Sequence, residues 1–274
     1  MTKYLNKNTT VCMSLAARPS NFGTRFHNYL YDALDLDYLY KAFKTRDLKG
    51  AIDGVRALGI RGCAISMPFK EECIPMLDEL DASAKAINSV NTIVNTHGYL
   101  KAYNTDYIAI ATLLKQYEVD PNFTFALRGS GGMAKAVACA LRDAGFTKGY
   151  IIAKNEKTGS DLAELYGFEW RKDLGTITPD LLINATPIGM AGGDEADSLS
   201  FTEQQVIAAQ VIFEVVALPA ETPLLKYANS QHKTVITGSE VFAIQAVEQF
   251  VLYTGVRPDD VLFQQAAKYA REGA

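Results

Sequence analysis

The strongest constraint on the fold is an alternation of short apolar runs with helix-patterned segments along almost the whole chain. Near the N-terminus, apolar runs typical of strands occur at 10–16, 38–43 and 59–67. The segment 22–34 between the first two has helical spacing. The segment after Asp47 also has it, with Asp47 as a plausible N-cap and Gly59 as its end. This alternation predicts a mostly parallel sheet with helices on both faces.

One stretch interrupts the alternation. Residues 89–106, "SVNTIVNTHGYLKAYNTD", have the pattern of two strands around a His97–Gly98 turn, which predicts a hairpin on a sheet edge. A helix is predicted at 107–117, and a second alternating α/β block begins at Phe123. The chain is expected to end in two helices, 239–255 and 258–272. A length of 274 residues fits two α/β domains.

Composition excludes several classes of function. Hydrophobic residues make up 48% of the chain and the formal net charge is -4, which favours a soluble globular protein without nucleic-acid or membrane partners. No apolar run approaches the ~18 residues of a membrane span, and the first ten residues do not resemble a secretory signal. The four cysteines lack Cys-x-x-Cys spacing and there are only three histidines, so we expect no metal site. We expect reduced, mostly buried thiols in a cytoplasmic protein.

A glycine-rich loop follows the predicted strand 123–127. Gly129, Gly131 and Ala134 give the pattern G-x-G-x-x-A at the start of a helix. The first glycine allows a tight turn, and the second lets the backbone approach a pyrophosphate at the helix N-terminus. The alternative is an ordinary glycine-rich turn of an α/β protein. The strand and helix on either side favour a dinucleotide site.

The end of the next strand bears on the choice of cofactor. NAD-preferring sites usually place an acidic residue there, whereas this chain has Lys154 and Asn155, followed by Glu156 and Lys157. Cations at this point favour the 2′-phosphate of NADP. The alternative for Lys154 and Lys157 is that they are solvated loop lysines.

A dehydrogenase also needs a group that handles the proton of the substrate hydroxyl. Lys70, in "GCAISMPFKEEC", is expected at the end of one strand and Asp106, in "YNTD", at the end of another. Carboxyl ends of parallel strands face the ligand crevice, so the two side chains could meet there. Taken alone, Lys70 is more readily interpreted as a surface cation than as a catalytic group.

Seven segments together resemble the shikimate dehydrogenase family over nearly the full chain. They are "GCAISMPFKEE", "AKAINSVNTI", "YNTD", "RGSGGMAKAV", "INATPIGM", "ETPLL" and "GSEVFAIQAVEQF", in the order of that family's motifs. The resemblance implies a two-domain α/β fold: a substrate-binding and catalytic domain at 1–106 plus 239–274, and a Rossmann-type NADP-binding domain at 107–238. It implies reversible oxidation of shikimate to 3-dehydroshikimate, a step of aromatic amino acid biosynthesis.

The same resemblance assigns roles to single residues. Lys70 and Asp106 match the catalytic pair, although the sequence leaves open which of them moves the proton. Asn91 and Gln245 match substrate-binding residues, and Gly238 matches the glycine beside the nicotinamide. The cofactor-binding residues that the resemblance implies are Gly129, Ser130, Gly131, Gly132, Met133, Lys154, Asn155, Thr186 and Gly238.

The departures from the family concern the substrate. Two family serines that hold the substrate carboxylate correspond to Asn21 and Gly23, with Ser20 and Thr24 adjacent, and a family asparagine corresponds to Ala64. Ser66 keeps a hydroxyl. Each lost hydrogen bond to a charged group removes ~1.5–3 kcal/mol, so we expect weakened binding of shikimate, or a related cyclic hydroxy-acid as the substrate.

Two alternatives stay open at this point. The chain could be a quinate- or NAD-preferring member of the same family, or a ligand-sensing module on the same fold that has lost catalysis. The oligomeric state is not fixed by the sequence.

Overall fold

The structure is a computed structural model that describes residues 5–272. Residues 1–4 and 273–274, the ends of the expected first domain, lie outside the described residues. The chain divides into two compact units: one comprises the described residues up to Thr105 together with those from Ala243 onwards, and the other runs from Asp106 to Phe242.

Strands and helices alternate along the described chain. The strands are β1 (Thr10–Ala16), β2 (Tyr38–Lys44), β3 (Gly62–Ile65), β4 (Glu79–Leu80), β5 (Thr92–Thr96), β6 (Tyr99–Tyr103), β7 (Phe125–Arg128), β8 (Gly149–Ile152), β9 (Glu169–Arg171), β10 (Leu181–Asn184), β11 (Val211–Glu214) and β12 (Thr234–Ile236). The helices are α1 (Phe22–Ala33), α2 (Leu48–Ala57), α3 (Phe69–Glu72), α4 (Ala82–Ile87), α5 (Thr105–Gln116), α6 (Gly132–Asp143), α7 (Glu156–Tyr166), α8 (Glu203–Ala208), α9 (Pro223–Ser230), α10 (Gly238–Thr254) and α11 (Asp260–Arg271). A 3₁₀ turn spans Ile74–Met76.

The first unit contains a mixed six-stranded sheet in the order β2-β1-β3-β5-β6-β4. Strands β1, β2 and β3 are parallel, and β5 is antiparallel to both β3 and β6. Strand β6 therefore runs in the same direction as β3. Because of this, the segments that follow β3 and β6 leave the sheet at the same end of the strands. These segments lead to Lys70 and to Asp106.

Helices cover both faces of this sheet, as the sequence predicts. Consecutive residues of β1 point into different cores: Cys12 packs with α1, α10 and α11, and Met13 packs with α2 and α4. The first core includes Phe26 and Phe250. The two C-terminal helices therefore pack with the N-terminal residues, as the family resemblance implies. Asp47 caps α2 by accepting a hydrogen bond from the backbone N–H of Gly50.

The second unit contains an all-parallel sheet in the order β12-β11-β10-β7-β8-β9. This is the doubly wound order 3-2-1-4-5-6 read from the other end. Ala126 packs on one face with α8 and α9, while its neighbours Phe125 and Leu127 point to the opposite face and are fully buried. The Rossmann-type expectation is confirmed. The topological switch point lies between β7 and β10.

The structure corrects several details of the predicted elements. The hairpin β5–β6 does not form the sheet edge, because the two-residue strand β4 pairs with β6 on its outer side. Short elements absent from the prediction are β4, β9, α3, α4 and α8. They span two to six residues, too few to show a clear hydrophobic period.

All four cysteines are buried and free, as expected for reduced thiols. Burial raises the pKa of Cys12 and of Cys73 to about 12, so neither is a reactive thiolate at neutral pH. Across residues 5–272, no helix has the length and apolar character needed to cross a membrane.

Candidate active site

Lys70 lies in α3, a short helix that begins four residues after β3 ends. The prediction that Lys70 ends a strand is therefore wrong: β3 stops at Ile65, and residues 66–68 separate it from α3. The backbone carbonyl of Lys70 accepts a hydrogen bond from the N–H of Val90 at 2.8 Å. This bond ties the lysine segment to the start of β5 and to Asn91.

Asn91 is the centre of a buried polar network. Its side chain is 2% exposed, and its Oδ1 accepts from the N–H of Thr105 at 2.9 Å and from the Thr92 hydroxyl at 2.8 Å. Its Nδ2 donates to Thr105 Oγ1 at 3.0 Å. Next to it, the Asn104 amide donates to the carbonyl of Ser89 at 3.0 Å. These bonds fix the segment that enters α5, the helix on which Asp106 lies.

Asp106 is the second residue of α5 and is 7% exposed. The sequence placed it at a strand end, but β6 stops at Tyr103 and the helix has already begun at Thr105. The predicted order, a strand followed directly by a helix, is nevertheless present. Its neighbour Thr105 is held by Asn91, and the segment of Asn91 is bonded to that of Lys70.

Two glutamines lie one turn apart on α10. Gln245, the predicted substrate ligand, is half-buried. Gln249 is 5% exposed, and its Nε2 donates to the carbonyl of Asn91 at 3.2 Å and to the Thr92 hydroxyl at 3.0 Å. Gln249 is a structural residue that sequence reasoning missed. Its place four residues after Gln245, on the same helix face, was the available signal.

The other predicted substrate-binding residues lie on segments that follow β1 and β3. Ser20 and Asn21 are exposed just before α1, and Thr24 is half-buried in its first turn. Ser66 follows β3 and its N–H donates to the carbonyl of Leu15 at 3.0 Å. The N–H of Ala17 also donates to the carbonyl of Met67, at 3.3 Å. These backbone bonds bring the segment before α1 beside Ser66.

Gly23, where the family resemblance implies a serine, faces an aromatic side chain. A Cβ at Gly23 would lie 3.4 Å from Tyr40 Oη, which is ordinary van der Waals distance. Tyr40 is 2% exposed and its ring stacks on His27 at a centroid distance of 4.4 Å. A serine would therefore fit at residue 23, with Tyr40 as its immediate neighbour.

In the second unit, the glycine-rich loop follows β7 at the switch point. Gly129 has φ of +126°, and a Cβ there would lie 2.8 Å from the carbonyl oxygen of Ala185. Only glycine allows the loops after β7 and β10 to approach so closely. Gly131 and Gly132 have open space where a Cβ would be, at the N-terminus of α6. This arrangement leaves backbone N–H groups accessible to an anion.

A pocket of about 250 Å³ adjoins this loop. Predicted cofactor residues in its lining are Gly129, Ser130, Lys154, Asn155 and Thr186. Gly131, Gly132 and Met133 lie on the adjacent turn that begins α6. Asn155 caps α7 by accepting from the N–H of Thr158 at 3.1 Å, and Ser130 and Thr158 share a hydroxyl hydrogen bond of 2.7 Å.

Two charged residues of this lining were not predicted from the sequence. Arg128 ends β7 directly before Gly129, and Glu195 lies in the loop after β10. The Lys154 ammonium nitrogen is 3.5 Å from Glu195 Oε1. A cation after the apolar run "FAL" was a usable signal for Arg128, whereas nothing in the sequence ties Glu195 to Lys154, 41 residues earlier.

A fully buried carboxylate supports the loop that carries Thr186. Glu214 Oε1 accepts from the Asn184 amide at 2.9 Å and from the N–H of Val216 at 3.0 Å, and Oε2 accepts from the Thr222 hydroxyl at 3.0 Å. Asn184 Oδ1 in turn accepts from the Thr186 hydroxyl at 2.6 Å. Burial raises the pKa of Glu214 to about 7, against the opposing effect of these hydrogen bonds.

Gly238 begins α10, where a close backbone approach requires glycine. A Cβ at this residue would collide with the carbonyl oxygens of Val215 and Val216. The loop after β11 therefore passes directly against the start of α10. Glu240 holds the same turn, since its Oε2 accepts from the N–H and the hydroxyl of Thr237 at 2.9 and 2.7 Å.

Comparison with known proteins identifies the family. A profile of the shikimate dehydrogenase substrate binding domain matches residues 22–93. A "Shikimate dehydrogenase-like protein" of Haemophilus influenzae is 55% identical over 97% of this chain and 98% of its own length. A "Shikimate dehydrogenase (NADP(+))" of Pyrococcus abyssi is 33% identical over 88% of this chain and 90% of its own.

A solved structure of shikimate 5-dehydrogenase from Thermus thermophilus, in complex with NADP(H) and shikimate, has the same fold. It superposes with a TM-score of 0.85 at 26% identity and covers 95% of this chain and 99% of its own. The motifs, the two sheets and these similarities agree, and the chain belongs to the shikimate dehydrogenase family.

Proposed function

We propose that this protein is an NADP-dependent dehydrogenase that interconverts shikimate, or a closely related cyclic hydroxy-acid, with the corresponding ketone. The observation that carries the proposal is the hydrogen-bonded connection of three segments in the first unit. Lys70 is bonded through its carbonyl to Val90, and Asn91 is bonded to Thr105, the residue before Asp106. The residues that we propose for alcohol oxidation thus lie on, or directly follow, segments that are hydrogen-bonded to one another.

The second unit has features that fit a dinucleotide. The open space at Gly131 and Gly132 suits a pyrophosphate at the start of α6, and Lys154 in the pocket lining suits a 2′-phosphate. Asn155 and Thr186 line the same pocket. We propose that these residues, with Ser130, hold NADP, and that Gly238, which lets the loop after β11 pass against the start of α10, lies beside the nicotinamide.

The chemistry requires removal of a hydride from carbon and a proton from oxygen. NADP⁺, when bound, would supply the hydride acceptor as the hydroxyl carbon becomes a carbonyl carbon. In our proposal, one member of the Lys70–Asp106 pair takes the hydroxyl proton. The acceptor is either the Asp106 carboxylate, while the Lys70 ammonium stabilises the negative charge on the substrate oxygen, or Lys70 as a neutral amine that becomes the ammonium. Asn91 and Gln245 orient the substrate. Asn91 has one amide hydrogen with no acceptor among residues 5–272, which is a donor available for this task.

Substrate binding is proposed to be weaker than in family members with two serines before α1. Gly23 offers no side-chain hydroxyl, so the carboxylate would depend on Ser20, Asn21 and Thr24, while Ser66 keeps a hydroxyl for the substrate. With one charged hydrogen bond fewer, affinity falls by roughly tenfold per 1.4 kcal/mol.

We also propose a binding partner and a cellular compartment. A small molecule is the expected partner, and four buried free thiols are consistent with a reducing compartment, for which we propose the cytoplasm.

A spectrophotometric panel tests the proposed function. Purified protein is assayed with shikimate and with quinate, each against NADP⁺ and NAD⁺, and the formation of reduced nicotinamide is followed. We expect activity with shikimate and NADP⁺ that requires millimolar substrate. No reduction of NADP⁺ with any saturating cyclic hydroxy-acid, in a sample that binds NADP⁺, would contradict the proposed activity and favour a ligand-sensing role.

A further inference from the structure

The rim of the nucleotide pocket contains a carboxylate bound to the cation that the proposed function assigns to the 2′-phosphate. Lys154 Nζ lies 3.5 Å from Glu195 Oε1, and both residues line the pocket. Their side chains are 82% and 48% exposed, so water screens the pair and a ligand can displace it. An incoming phosphate must share Lys154 with this carboxylate.

Hydrogen bonds to its backbone carbonyl hold Glu195 in place. Its carbonyl accepts from the N–H of Gly189 at 2.9 Å and from the N–H of Ser198 at 3.2 Å. Gly189 has φ of +86°, which allows the loop to turn back after Ile188, another residue of the pocket lining. The carboxylate is therefore carried to the rim by a defined turn.

Arg128 is the second cation of the lining. Its guanidinium carbon lies 5.1 Å from the centre of the Phe201 ring, and its Nε is buried with no hydrogen-bond acceptor in the part of the chain that the structure describes. Burial lowers the pKa of Arg128, while the charges of Asp173 and Glu195 oppose this shift. The negative charge of Glu195 thus acts on both cations of the pocket.

Such a carboxylate affects the two nicotinamide dinucleotides in different ways. It repels the dianionic 2′-phosphate of NADP⁺ and competes with it for Lys154. In NAD⁺ the same ribose position carries a hydroxyl, which can donate a hydrogen bond to a carboxylate. Removing the negative charge should therefore strengthen NADP⁺ binding and leave NAD⁺ binding unchanged or weaker.

We propose that Glu195 is a specificity-determining residue that reduces the preference of this pocket for NADP⁺ over NAD⁺. The inference rests on the proposed function, because it assumes that the pocket beside Lys154 receives the ribose of a nicotinamide dinucleotide. The sequence predicted that residues at the end of β8 would distinguish NADP⁺ from NAD⁺. Glu195 is a further residue with this role, and it lies on the loop after β10.

The test is a binding measurement, independent of turnover. The dissociation constants of NADP⁺ and NAD⁺ are measured by titration calorimetry for the wild type, for Glu195→Gln and for Asp194→Asn. Asp194→Asn is the matched control, since it removes a carboxylate from the same exposed loop but outside the pocket lining. In Glu195→Gln we expect NADP⁺ to bind about tenfold more tightly, as for removal of one nearby like charge, and NAD⁺ no more tightly.

The outcomes separate the two proposals. If both nucleotides bind and their ratio of dissociation constants stays within about twofold of wild type in Glu195→Gln, the role of Glu195 is overturned and the dinucleotide site stands. An equal change in Glu195→Gln and Asp194→Asn also overturns it, because the effect would then be general charge. If the wild type binds neither nucleotide, the proposed function fails, and the inference with it.

Discussion

Asn91 and Thr105 are joined by hydrogen bonds that run in opposite directions. The Asn91 amide donates to Thr105 Oγ1 at 3.0 Å, and the Thr105 N–H donates to Asn91 Oδ1 at 2.9 Å. Both side chains are almost fully buried. The pair fixes the first residue of α5, so the orientation of the next residue, Asp106, depends on it.

We therefore predict that Asn91→Ala lowers both stability and turnover. Buried groups of Thr105 and Thr92 would lose their partner, which costs about 1–3 kcal/mol in the free energy of unfolding. Turnover should fall by at least about tenfold beyond any loss from unfolding, because the catalytic segment is no longer held. Urea unfolding and steady-state kinetics measure the two effects.

Asn95→Ala is the matched control. Asn95 lies on β5, four residues after Asn91, and is 5% exposed. Its amide nitrogen donates to the carbonyl of Val55 in α2, and its Oδ1 accepts from the N–H of Gly98 in the hairpin turn, at 2.8 Å each. Asn95→Ala should lose about as much stability as Asn91→Ala does. Its turnover per folded molecule should equal that of wild type. Equal losses of turnover in the two variants would show that Asn91 has only a structural role.

Gly23→Ser should strengthen the binding of shikimate. The backbone of Gly23 does not have a positive φ, and a Cβ would lie 3.4 Å from Tyr40, so the fold accommodates serine. The hydroxyl restores a hydrogen bond to the substrate carboxylate that the family resemblance implies, and KM for shikimate should fall about tenfold with kcat little changed. Gly54→Ser, where a Cβ meets no other atom within 4 Å, is the control and should leave KM unchanged. An unchanged KM in Gly23→Ser would mean that the carboxylate binds elsewhere.

Glu214 should make stability depend on pH. Its pKa is about 7 in the folded protein, raised from 4.5 by burial. Between pH 4.5 and about 7, the folded state therefore holds a proton on Glu214 that the unfolded state has released. Stability falls as pH rises through this window and is constant above it, and the group accounts for about 3 kcal/mol of that decrease.

Glu214→Gln removes this titration, because glutamine stays neutral. Relative to wild type, its free energy of unfolding should rise by about 3 kcal/mol from pH 4.5 to pH 8, measured by urea unfolding. Glu164→Gln, at an exposed position of α7, is the control. Parallel profiles for Glu214→Gln and wild type would show that Glu214 does not titrate in this range.

Much of the fold follows from local pattern. The alternating strands and helices, the hairpin turn at His97–Gly98 and the cap Asp47 were all predictable, because each depends on residues close in sequence. The helix α8 also carries a signal that was missed: Thr202 and Gln205 form a capping box. By contrast, β4 has two residues and is defined only by its pairing with β6, which no local pattern records.

The candidate site was predictable where a motif carries it and not where contacts are long-range. Lys70, Asn91 and Asp106 were found as residue types within segments, but their secondary structure was misjudged. Strand β3 ends before the apolar run 59–67 does, and β5 and β6 do not include the polar residues at the two ends of the segment 89–106. Gln249 and Glu195 reach their partners across 158 and 41 residues, respectively. Only the packing of separate elements brings such side chains together.

If Lys70 and Asp106 carry out the chemistry, replacing either side chain should lower turnover and leave nucleotide binding intact. Turnover of shikimate with NADP⁺ and the dissociation constant of NADP⁺ are measured for Lys70→Ala, Asp106→Asn and the control Lys85→Ala, an exposed lysine of α4. We predict that turnover in the first two falls by at least about 100-fold while the dissociation constant stays within about twofold, and that Lys85→Ala matches wild type. Turnover in Lys70→Ala and Asp106→Asn close to that of wild type would show that these two residues do not carry out the chemistry.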